Sequence, residues 1–109
     1  MKVTNAELIS SNKRERISGG VYITFISKEN ITKETLVKIL TSCGVAYYFT
    51  VTDIQIDGEN LKVRAHETGY YAWKMDYKGT DLRTVIGLDV IPVTDKEEII
   101  KINKEACYC

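Results

Sequence analysis

Between Val45 and Ala65 the chain changes side with nearly every residue. Val45, Tyr47, Phe49 and Val51 share one parity, Ile54 and Ile56 lead into Asp57-Gly58-Glu59-Asn60, and Leu61, Val63 and Ala65 follow. A period of two on both sides of an Asp-Gly pair is the signature of a β-hairpin with one buried face. A chain holding that hairpin must build a sheet around it. Its 109 residues are enough for one domain with its own core.

The remaining segments are read against that sheet. Thr4-Asn5-Ala6-Glu7 has the spacing of a capping box and predicts a short helix to Ser10 or Ser11. Val21 to Ser27 alternates as a strand. Thr32 is placed to cap a second helix, with Leu36, Ile39, Leu40 and Cys43 as its apolar stripe and Gly44 as its left-handed end. Tyr71, Trp73, Met75 and Tyr77 line one face of a further strand, and Leu82 to Val93 reads as one strand bent at Gly87. Thr94-Asp95-Lys96-Glu97 opens a last helix running to about Ala106. The expected fold is α+β, an antiparallel β-meander of about five strands with two main helices on one face and a short N-terminal helix. It forms a single compact domain over residues 1–109.

Composition narrows the function. Fifteen basic and fifteen acidic residues cancel, so no summed positive field draws the chain to nucleic acid or to a membrane surface. No apolar run is long enough to span a bilayer and the start lacks a signal peptide, so a cytoplasmic location is expected. Eleven lysines against four arginines, with thirteen isoleucines, are the usage of A+T-rich coding DNA. That points to a low-G+C bacterium or its phages, and hence to a host bacterial cytosol.

The chemistry-bearing residues are few. Cys43, His66, Cys107 and Cys109 could be summed into a zinc site, but a Cys-X-Cys pair and two isolated ligands lack the spacing. Over three residues Cys107-Tyr108-Cys109 resembles the doubly prenylated end of Rab-type small GTPases, whose nucleotide-binding motifs the chain lacks. Neither metal nor cofactor is expected. His66 shares parity with Lys62 and Arg64 and reads as outward-facing, poorly placed as a general base. Asp53, Asp57, Glu59 and Asp76 form no catalytic constellation, and the chain is read as non-enzymatic.

Two binding faces remain. Tyr48 and Tyr70 fall on the outward parity of the aromatic runs, and tyrosine suits an interface. With Asp57, Glu59 and Asp76 they make a candidate surface for a protein partner, the acids standing in for phosphates toward a basic surface. The alternative is single-stranded nucleic acid on Lys13, Arg14, Arg16, Lys62, Arg64 and Lys74, with Tyr70 for stacking. The first reading is preferred: a small protein-interaction or inhibitor module, analogous in size and plainness to phage-encoded anti-CRISPR proteins that block a bacterial defence complex. An edge strand could further pair two copies as a homodimer.

Overall fold

The structure is a computed structural model that describes residues 1–9, 14–15, 20–40, 44, 46–68 and 82–106. Six strands pair antiparallel: β1 (Val3–Ile9), β2 (Gly20–Ser27), β3 (Leu36–Leu40), β4 (Ala46–Asp57), β5 (Asn60–Glu67) and β6 (Val90–Pro92). Their order in the sheet is β1-β2-β5-β4-β3-β6. A 3-10 turn spans Leu82–Val85, and one helix among the described residues, α1 (Lys96–Ala106), follows β6.

The two outer strands of this sheet meet. Lys2 bridges Asp89, the Val90 N–H donates to the Met1 carbonyl at 2.7 Å, and the Val3 N–H donates to the Leu88 carbonyl at 3.0 Å. The sheet therefore curls into a small barrel. Parity decides its interior. Val3, Val21, Ile23, Phe25, Val37, Ile39, Phe49, Val51, Val63, Ala65 and Val90 come from all six strands and form one buried cluster with Val85. Barrel interiors of this width are filled by side chains, and this one is.

The hairpin read from the alternation is present as β4 and β5, joined through Gly58 and Glu59 with Gly58 at φ 64°. Glycine at the first of two loop residues is what a type II′ turn requires. The final helix is present too. Asp95 caps it, accepting from the Glu97 N–H at 3.1 Å.

Other expectations fail. The meander with two main helices and an N-terminal helix is overturned: Thr4–Ile9 belongs to β1, and the segment after Thr32 contains β3. The capping box at Thr4 and the apolar stripe after Thr32 are both local patterns that a strand can also carry. In β3 the pair Val37 and Ile39 points inward at period two, and a strand there joins β4 to β6. A two-turn helix at the start gains little alone, whereas β1 gains a ladder with β2 and closes the barrel. The bent strand over Leu82–Val93 resolves into the 3-10 turn, a left-handed Gly87 at φ 90° and the three-residue β6. The expected strand at Tyr71–Tyr77 lies outside the described residues.

Candidate functional site

Beyond its midpoint the β4–β5 hairpin is an arm held to β2 along β5 as far as Leu61, while its β4 strand loses its other neighbour. A bulge at Thr52 shifts the register between Val51 and Asp53, and the Thr52 Oγ1 donates to the Arg64 carbonyl at 3.2 Å. The bulge exchanges the parity, so that Val51 and then Ile54 face the core side. β3 stops pairing at the same point. Its last partner is Thr50, and the loop ahead of it makes the final bonds, Val51 N–H to Thr35 O at 3.0 Å and Glu34 N–H to Val51 O at 2.8 Å. From Asp53 to Asp57 the outer edge of β4 has no backbone partner among the described residues. Past this edge the arm ends in Ile56, 85% exposed, with Asp57 and Glu59 exposed beside it.

On the outer face of β1, β2, β5 and β4 lies an open polar groove of about 560 Å³. Lys62 and Arg64 line it from β5, Glu7 from β1, and Asp53 and Gln55 from β4. Arg64 is already engaged: its Nη2 lies 3.0 Å from Glu7 Oε1 and its guanidinium sits 4.4 Å over the Tyr22 ring. Tyr22 in turn contacts His66, ring to ring, at 4.6 Å. His66 faces outward with Lys62 and Arg64 as the parity implied, yet it is half-buried against Tyr22 and not a freely solvated residue.

The candidate partner residues are not gathered in one place. Asp57 and Glu59 are together at the hairpin tip. Tyr48 is corrected: it points out of the barrel, as its parity required, but α1 covers it and it is 7% exposed. Leu36, Val93 and Ile102 complete that second cluster between helix and sheet. Tyr70 and Asp76 lie outside the described residues, as do Lys13, Arg16 and Lys74 from the nucleic-acid set. Of that set Lys62 is exposed on β5, Arg64 is paired with Glu7, and Arg14 is exposed in a turn. The sequence reading took Ile54 and Ile56 only as the run leading into the turn and did not single out Ile56 as a binding residue. The apolar positions jump from odd to even between Val51 and Ile54, which signals the bulge but places Ile56 on the core side with Ile54; its exposure comes from its place beside the turn, past the packed interior.

The Tyr48 hydroxyl donates to Glu98 Oε2 at 2.6 Å, and Lys38 Nζ lies 3.0 Å from the same oxygen. The Tyr48 bond, then the Lys38 bond, hold the Glu98 carboxyl below its ordinary 4.5. A carboxylate held low in the fold contributes stability at neutral pH, and that contribution is lost as pH falls through its folded value. Tyr48→Phe is expected to cost about 1.5 kcal/mol at neutral pH and clearly less in acid. Urea denaturation of both proteins across the acid range checks this, and an equal difference at every pH would contradict it.

Among the described residues no group of three metal-ligating side chains occurs, and no helix is long and apolar enough to cross a membrane. Compared with protein-family models, curated protein sequences and solved structures, the chain matches none.

Proposed function

We propose that the chain is a non-enzymatic protein-interaction module that occupies the surface of a basic partner with its β4–β5 arm. The carrying observation is the tip itself, an 85% exposed Ile56 flanked by exposed Asp57 and Glu59 on a hairpin whose base is locked into a packed barrel. A rigid arm with one apolar anchor ringed by charge suits a socket on a protein. It loses little conformational freedom on docking. The narrower reading, a phage- or mobile-element-encoded inhibitor of a bacterial defence complex, is supported by size, neutral charge and A+T-rich residue usage.

The test is affinity capture from a low-G+C bacterial lysate, with and without nuclease, using the wild type beside an Asp57→Lys/Glu59→Lys double variant. Both substitutions are at an exposed turn and leave the core intact. The expected result is a protein partner that survives nuclease and is lost, by about tenfold or more, with the double variant. Capture that disappears with nuclease, or that ignores the charge reversal, overturns the proposal.

A further inference from the structure

We infer that the open edge of β4 from Asp53 to Asp57 is a strand-addition site, which takes an extended partner segment with basic residues on one face and apolar residues on the other. This deepens the reading above, on which it rests, by naming how the arm holds its partner. In a two-residue hairpin the pair flanking the loop exchanges both backbone bonds, and alternate pairs follow suit. Asp57 pairs with Asn60 and Gln55 with Lys62 in that register. The amides and carbonyls of Ile54 and Ile56 therefore point away from β5, along an edge where no backbone group of the described residues meets them. Exposed edges of this kind are templates for another strand.

Charge selects the occupant. Asp53, Gln55 and Asp57 share one face of the arm, Ile54 and Ile56 the other. A second copy pairing antiparallel about Gln55 would set Asp53 opposite Asp57 twice, and like charges directly opposite are unfavourable. Neither aspartate is in an ion pair among the described residues, although Lys33 lies on the Asp53 side of the groove. A segment of the pattern Lys-Val-Gln-Val-Lys meets both aspartates with lysine and lays its valines against Ile54 and Ile56. That pattern reads alike in either direction.

The probe is this pentapeptide with blocked ends, added to the full chain at millimolar concentration while amide exchange is followed by NMR. The expected result is about tenfold slower exchange at Ile54 and Ile56 with little change elsewhere in the sheet. Glu-Val-Gln-Val-Glu, and the lysine peptide N-methylated at both valines, are expected to give no protection. Unchanged exchange at Ile54 and Ile56, equal protection by either control, or protection that grows with protein concentration alone overturns the inference. Ile56→Pro separates it from the broader proposal, because proline removes an edge N–H that the ladder does not use. Loss of lysate capture with both Ile56→Pro and the charge reversal supports strand addition. Capture lost only with the charge reversal removes strand addition alone, and capture retained by both variants removes both readings. If Ile56→Pro fails to fold, the N-methylated peptide supplies the same discrimination.

Discussion

Gly20→Ala is expected to destabilise the protein by about 3 kcal/mol or more. Gly20 has φ 132°, a conformation that side chains rarely adopt, and a Cβ built there lies 2.7 Å from Glu67 Oε1 and 2.9 Å from His66 Nε2. Glu67 cannot swing aside without loss. It is 2% exposed at the end of β5, and its Oε1 accepts the Val21 N–H at 2.7 Å. Moving it breaks a hydrogen bond in a buried place, where a polar group left without its partner is expensive. Gly44→Ala is the control. That glycine also has a left-handed φ, 84°, but a Cβ there meets nothing within 4 Å. Only the backbone cost of about 1 kcal/mol should appear. Urea denaturation of the two variants measures the difference, and similar losses would remove Glu67 from the account.

Phe49→Ala is expected to cost about 3–5 kcal/mol. Phe49 is 0% exposed and is among the largest side chains filling the barrel. Strands surround the site on every side, so the walls cannot collapse into the void. On the same strand Ile56→Ser should change stability by no more than about 0.5 kcal/mol, because Ile56 is already 85% exposed. The contrast is a direct test of where β4 leaves the barrel. Chemical denaturation of both variants checks it, and a large loss for Ile56→Ser would mean that the arm is packed.

The legible part of the fold was the part whose pattern is local. Asp57-Gly58 and the alternation on either side of it identified the β4–β5 hairpin, and the capped, dipole-matched start after Thr94 identified α1. β1 and β3 were misread because Glu7 three residues after Thr4, and Leu36 with Ile39 and Leu40, satisfy helical spacing by themselves. Their strand identity comes from partners distant in sequence, such as Val21 beside Leu8 and Pro92 beside Val37. No local period reports such pairings. The candidate site was legible in the same proportion. Parity placed Tyr48 on the outside of the sheet, but not the helix that covers it. Asp57 and Glu59 were found from the turn, while the exposure of Ile56 depends on where the packed interior ends along β4, which no local pattern reports.

The junction of Lys2 with Asp89 also bears on the order of folding. Its partners are 87 residues apart in sequence. The hairpin of β4 and β5 closes over a two-residue loop and can form early, whereas contacts of such separation pay their loop entropy first and arrive late. During synthesis β1 and β2 leave the ribosome before any of β5 or β6 exists to flank them. Their hydrophobic inner face, with Val21, Ile23 and Phe25, must therefore wait, exposed, first for β5 and then for β6. The barrel is a structure completed from its end, and its slowest and most aggregation-exposed moment precedes that closure.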